Sequence, residues 1–120
     1  MRNPAFLALC AVLSLAGAVG CGSKDVGANG DLVGGRCVTD VDCRKRCLQG
    51  GDFPGGFCSV SCLVDADCPS GTVCIDKMAG VCLLPCAQPA DCQFLGAGYK
   101  CDSKDRKSAK GVKVPVCIGE

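Results

Sequence analysis

Apolar residues follow two different patterns along this chain. Ala5 to Val19 is an almost unbroken apolar stretch, whereas beyond Gly20 apolar side chains come in twos and threes around cysteines, divided by Gly, Pro, Ser and Asp. Residues 1–20 read as an export signal. Arg2 supplies the positive region, and the Ala-rich stretch falls short of the roughly 20 strongly apolar residues a membrane span requires. In the remainder, Val112-Lys113-Val114-Pro115-Val116 alternates and predicts a short strand ending at Cys117, with Pro115 confining it to an edge. Thr72-Val73-Cys74-Ile75 and Gly80-Val81-Cys82-Leu83 predict a hairpin around Asp76-Lys77-Met78-Ala79. Asp40-Val41-Asp42 and Asp65-Ala66-Asp67 each fit a single helical turn. Gly50-Gly51, Pro54-Gly55-Gly56, Pro69-Ser70-Gly71 and Gly96-Ala97-Gly98 punctuate the chain too closely for long elements, and no stretch sustains a 3.6-residue period.

Cysteine phasing turns these fragments into a repeat. Cys37, Cys43, Cys47 and Cys58 form one quartet; Cys62, Cys68, Cys74 and Cys82 a second; Cys86, Cys92, Cys101 and Cys117 a third. Each opens on Cys-x5-Cys with Asp before the second Cys, and three residues separate one quartet from the next. Self-similarity at this spacing indicates an array of units too small to fold on cores of their own. The expected fold is therefore small and disulfide-rich: three tandem four-cysteine units, at 37–58, 62–82 and 86–117, with short β-hairpins and little regular secondary structure. Phe53, Phe57, Phe94 and Tyr99 are the only aromatics after the signal. So poor a core leaves much of the ordering entropy to be offset by disulfides, at about 3 kcal/mol for a 15-residue loop. Four cysteines allow three connectivities. First-to-third with second-to-fourth is the expected pairing, with bridges between repeats through the Cys-x3-Cys joints as the competing arrangement.

With Cys10 removed in the signal, thirteen cysteines remain, and the odd one is Cys21. Ala18-Val19-Gly20-Cys21 resembles the lipobox of bacterial lipoproteins, departing from it at Ala18, where Leu is commoner. The resemblance implies that Cys21 carries acyl chains of the palmitate type and becomes the mature N-terminus. Conventional cleavage after Ala16-Gly17-Ala18 is the rival, and it would leave Cys21 as a lone exposed thiol in an oxidising compartment. Residues 21–35, Gly-rich and without period, read as a lipidated flexible tether, and 36–120 as the cysteine-rich domain. Gly22, in place of the Asp that marks inner-membrane retention in such lipoproteins, directs the expectation to the outer membrane of a cell envelope.

Cys62-Leu-Val-Asp65-Ala-Asp67-Cys68-Pro-Ser-Gly71-Thr-Val-Cys74 resembles the opening of the Dickkopf N-terminal cysteine-rich region, a pattern also found in exported cysteine-rich lipoproteins of myxobacteria. Thirteen residues match closely and about 80 loosely. The third unit has Pro89 for the first Asp, and the first has Arg44-Lys45-Arg46 with no Gly before Cys47. Because the later Dickkopf cysteines are missing, the resemblance implies a disulfide fold and no receptor binding of that kind.

The chain contains no His, and its single Glu is Glu120. That removes the usual general base, the Ser-His and Cys-His pairs and the commonest metal ligand. With no phosphate-cradling loop either, no enzyme, no cofactor and no metal site are expected. The Asp40/Asp42 and Asp65/Asp67 pairs offer two carboxylates where Ca2+ takes six to eight oxygens, so they are expected to bond local backbone N–H groups instead. Zinc thiolate sites favour tighter spacing, often with His, which leaves disulfides the stronger reading of an exported His-free set.

Removing Arg2 with the signal leaves twelve basic against twelve acidic side chains, so any field is local. Lys104, Arg106, Lys107, Lys110 and Lys113, with Lys100 nearby, crowd between Cys101 and Cys117 and form the candidate binding residues. Arg44-Lys45-Arg46 is a second cluster. No aromatics interleave with either, so nucleic acid is not an expected partner. The expected role is a membrane-anchored, exported, non-catalytic structural or interaction module, contacting the membrane through its lipid and an unknown protein or anionic glycan through its loops. A protease inhibitor presenting Lys104 or Arg106 is the alternative. The stretch between Cys101 and Cys117 reads as too long and too rich in Gly, Ser and Lys for the rigidity an inhibitor loop needs.

Overall fold

A computed structural model describes residues 25–119. The signal at 1–20 and Cys21 lie outside the described residues. Three antiparallel hairpins follow one another: β1 (Arg46–Leu48) with β2 (Phe57–Ser59), β3 (Val73–Ile75) with β4 (Val81–Leu83), and β5 (Lys100–Asp105) with β6 (Lys113–Ile118). A 3-10 turn precedes each, at Asp40–Asp42, Asp65–Asp67 and Pro89–Leu95. Third and fourth cysteines of every unit face each other across the hairpin, as Cys47↔Cys58, Cys74↔Cys82 and Cys101↔Cys117. They do not bond each other. Cys37–Cys47 and Cys43–Cys58, Cys62–Cys74 and Cys68–Cys82, and Cys86–Cys101 and Cys92–Cys117 are the six bridges. The first-to-third, second-to-fourth pattern recurs in all three units, and no bridge passes between repeats. Each Cys-x5-Cys turn is thus fastened to its own hairpin by two crossed staples.

The repeated aspartates close the turn. Asp42 Oδ2 accepts the N–H groups of Val38 and Thr39 at 2.8 and 3.2 Å, Asp67 those of Leu63 and Val64 at 2.9 and 3.3 Å, and Asp91 those of Ala87 and Gln88 at 2.8 and 3.1 Å. This satisfies N–H groups that a short helix leaves unpaired at its start. The other aspartate ties the turn to the hairpin: Asp40 Oδ1 accepts from Cys47 N at 2.8 Å and Asp65 Oδ1 from Cys74 N at 2.9 Å. Pro89 stands in that place in unit 3 and has no carboxylate to offer. The pairs are structural acceptors, as their position in turns suggested.

A third strand-like arm completes each unit. The fourth cysteine's N–H always bonds the carbonyl two residues before the first: Cys58 to Gly35 at 2.8 Å, Cys82 to Val60 at 3.1 Å, and Cys117 to Leu84 at 2.8 Å. Gly34 and Gly35 therefore belong to unit 1. This corrects the reading of 21–35 as a flexible tether, at least from Asp25 onward. Val33 is completely buried, Asp25 O accepts from both Leu32 N and Val33 N, and Arg44 bonds Asp25 and Asp31. The glycines here serve close packing. A Cβ on Gly34, at φ +116°, would lie 2.2 Å from Gly27 O.

Pro115 also departs from expectation, because β6 is not an edge. β5 lies on one side and the 84–86 arm on the other, with Cys86 N donating to Pro115 O at 3.0 Å. In units 1 and 2 the corresponding residues are Gly56 (φ +83°) and Gly80 (φ +109°), whose Cβ atoms would meet the carbonyl oxygens of Cys37 and Cys62 at 1.8 and 2.1 Å. Proline cannot take positive φ, and β6 runs regularly back to Lys113.

The units do not form a linear array. Unit 3 returns to unit 1: Gly119 N bonds Asp52 O at 2.7 Å, and the Tyr99 and Phe57 rings lie 6.2 Å apart. Unit 2 meets unit 1 through Ser59 Oγ to Cys82 O at 2.7 Å and Lys77 to Asp52 at 2.7 Å. One shared core results, with Phe53, Phe57, Leu48, Ile75, Leu83, Val116 and Ile118 all buried in it. Closure lets three units with no core of their own pool their apolar surface.

Candidate functional site

The stretch between Cys101 and Cys117 is a braced hairpin, in contrast to the loose loop its composition suggested. Lys100-Cys-Asp-Ser-Lys-Asp shows no apolar alternation, so β5 left no trace in the hydrophobic pattern. Its strand character comes from partners on both sides. β6 pairs with one edge, while Asp76 N to Asp105 O at 2.8 Å and Lys107 N to Cys74 O at 3.0 Å fasten the end of the hairpin to β3.

This placement determines what the basic candidates do. Arg106 pairs with Asp65, Lys107 and Lys110 reach Asp76 at 3.6 and 3.3 Å, Lys104 reaches Asp102 at 3.3 Å, and Lys113 reaches Asp105 at 3.0 Å. All five candidates come together, each with a carboxylate. Three of them clamp unit 3 onto unit 2. Hydrogen bonding from Lys110, with further help from Lys107, holds the Asp76 carboxyl below the usual range, and Lys104 does the same for Asp102. Lys110 keeps the most freedom, its side chain being 75% exposed. The composition predicted an open cationic loop; the fold supplies counter-charges from unit 2 that lie far away in sequence.

The second cluster is divided. Arg44 is gripped by Asp25 and Asp31 at 2.6 and 2.7 Å, which raises its already high pKa. Arg46 donates to Ser61 Oγ at 2.8 Å. Lys45 is exposed and has no partner among the described residues.

Two shallow concavities flank unit 1. One, of about 330 Å³, is walled by Asn29, Asp31, Arg36, Asp42 and Phe94; the other, of about 320 Å³, by Val38, Gln49, Phe53 and Gly55. The sulfurs of Cys37, Cys43 and Cys47 crowd within 4.8 Å of one another, as do those of Cys62, Cys68 and Cys82 in unit 2 and of Cys86, Cys92 and Cys101 in unit 3. Crossing bridges produce that crowding, since all twelve sulfurs are joined in pairs. A thiolate site would need them reduced.

Tyr99 was singled out in the sequence only as one of few aromatics. Its hydroxyl is buried against the core without a partner among the described residues, and desolvation pushes its pKa up to about 12. Nothing in the local sequence signals this, because unit 1 supplies the covering atoms. Cys21, the proposed lipidation site, lies outside the described residues.

Among the described residues no helix is long and apolar enough to cross a membrane. Comparison of the chain with protein-family models, with curated proteins and with solved structures finds no match.

Proposed function

We propose that the protein is an exported lipoprotein, anchored through acylated Cys21 to a membrane of the cell envelope, most simply the outer one. Its disulfide-braced domain then serves as a non-catalytic structural or interaction module. Cysteine parity carries this reading. Every cysteine from Cys37 to Cys117 has its partner within that set, so none is left to pair with Cys21. An anchored thioether disposes of a thiol that export would otherwise expose. The Dickkopf-like opening of unit 2 accords with an extracellular scaffold of this kind. Protein or anionic glycan partners would have to engage loops whose basic residues are already paired, which favours a partner that brings its own stronger anions.

Intact mass of the purified protein tests the reading. A diacylglycerol-sized addition at Cys21, with two further daltons per bridge on reducing six bridges, is the expected outcome. A free thiol at Cys21 would sink it.

The braced β5–β6 hairpin also favours a second reading, a protease inhibitor, since rigidity is what such a loop needs. Arg106, Lys104 and Lys110 are all paired with carboxylates, but the Lys110 side chain is 75% exposed, which makes it the most accessible of the three to a trypsin-like pocket. Titration of trypsin with the oxidised domain separates the two, and no inhibition at micromolar protein removes the inhibitor.

A further inference from the structure

The described fold already includes Asp25, four residues beyond Cys21. Four residues of fully extended backbone reach about 14 Å at most. Asp25 itself is fixed, its carbonyl accepting from Leu32 N and Val33 N and its carboxylate from Arg44 at 2.6 Å. The chain therefore joins the fold beside Arg44. Next to Arg44 stand Lys45, exposed and unpartnered among the described residues, and the 3-10 turn that carries Val41. Val41 is 89% exposed, more than any other large hydrophobic side chain among the described residues.

We propose that this surface, Val41 and Lys45 flanking Arg44, rests directly on the lipid bilayer that holds Cys21. The inference depends on acylation of Cys21 and adds to it an orientation of the domain. Electrostatic attraction is not the cause. Between residues 25 and 46, Asp25, Asp31, Asp40 and Asp42 balance Arg36, Arg44, Lys45 and Arg46 in number. Proximity is the cause: so short a connection keeps the adjoining face at high effective concentration against the bilayer. Val41 then loses exposed apolar surface to the headgroup–acyl boundary, and Lys45 lays its stem along it with the ammonium among the phosphates. Val112, also exposed, sits at the tip of the β5–β6 hairpin, which docks on unit 2. It serves as the contrasting position.

The chain lacks tryptophan, so single-Trp variants report without interference. The full-length protein is produced in a lipoprotein-processing bacterium, checked by mass for the acyl addition, and reconstituted in vesicles of phosphatidylethanolamine and phosphatidylglycerol with brominated acyl chains. Val41→Trp emission is expected to fall about twofold relative to unbrominated vesicles, as for a side chain at the interface, with Val112→Trp unchanged. Inserting a flexible Gly/Ser segment of about 20 residues between Cys21 and Asp25 should restore the Val41→Trp emission. Acylated protein in which the two variants respond alike, or in which the longer connection changes nothing, overturns the orientation and leaves the anchor standing. Protein that carries no acyl group and fails to float with vesicles overturns both.

Discussion

Gly80→Ala tests whether the arm-and-hairpin contact defines the unit. Gly80 has φ +109°, and an added Cβ would sit 2.1 Å from the Cys62 carbonyl oxygen, a backbone atom that cannot swing aside. Holding a non-glycine residue in this region costs about 1–3 kcal/mol. The displaced arm also carries two hydrogen bonds, Cys62 N to Gly80 O at 3.0 Å and Cys82 N to Val60 O at 3.1 Å, each contributing about 1 kcal/mol. Lower chain entropy in the unfolded state returns about 0.4–1 kcal/mol. The net loss is about 3 kcal/mol, or a fall in Tm of about 12 °C or more for a domain this size. Gly50→Ala is the matched control, because φ is nearly the same at +104° while nothing lies within 4 Å of the added atom. Its cost should be strain alone, about 1 kcal/mol after the entropic return. Thermal and guanidinium unfolding of the two oxidised variants, followed by circular dichroism, gives the comparison. Equal losses would show that backbone conformation, and not the approach of Cys62, accounts for the glycine.

Four further outcomes follow from the same geometry. Asp67→Ala strands the N–H groups of Leu63 and Val64 and should cost about 1–2 kcal/mol in chemical unfolding, with Asp67→Asn recovering part of it. Arg106→Ala removes a half-exposed pair worth about 0.2–1 kcal/mol, and a double-mutant cycle with Asp65→Ala should show the coupling shrinking in 1 M salt. The carboxyls of Asp42, Asp76 and Asp102 all titrate below their ordinary 3.8 in the fold, so their contribution is complete above about pH 4 and lost as pH falls through the folded values. Unfolding midpoints should be flat from pH 7 to 5 and drop below 4, less steeply in Lys110→Met. Tyr99 holds its proton to about pH 12 in the fold but to only about 10 when unfolded, so stability should decline above pH 10 in the native protein and not in Tyr99→Phe, which loses a buried unpaired hydroxyl and should be no less stable at pH 7.

What could be read in advance was whatever a single unit expresses locally. Cysteine spacing marked out the three units but left three connectivities in each, with bridges between repeats also open; the first-to-third, second-to-fourth pairing expected among them is the one formed. The Val73–Leu83 hairpin and the turns at Asp40 and Asp65 carried their own signals in β-branched residues and aspartate. The misses share one origin. Gly27 to Gly35 looks like linker composition, yet Gly30, Gly34 and Gly35 lie against backbone atoms of the same loop, and Gly34 N and Gly35 O bond Cys58 of unit 1. β5 is polar throughout and becomes a strand because β6 and β3 bond it from two sides. Pairing of Arg106 with Asp65 spans 41 residues, beyond any window in which charges can be read together. A basic run in sequence says nothing about where its counter-ions fold.

The departures of unit 3 from the repeat belong to one structural solution. Pro115 in place of the positive-φ glycine makes β6 continue where the other units turn, which lengthens the hairpin. The longer hairpin reaches back to the β3 edge and covers it, its Asp105 O and Lys107 N pairing with Asp76 N and Cys74 O, backbone groups that unit 2 would otherwise leave to solvent. An uncovered edge is a site for unwanted pairing, and the hairpin removes it here. Charge follows from the same move. The tip arrives over Asp65, already committed through its other oxygen to Cys74 N, and over Asp76, and Arg106, Lys107 and Lys110 neutralise both. The basic cluster that most resembled a binding surface is thus the counterpart of unit 2's acidic turn. Replacing Lys107 and Lys110 with Gln should loosen the hairpin in hydrogen exchange at Lys107 and Asp76 N–H, with the rest of unit 3 held by its two bridges.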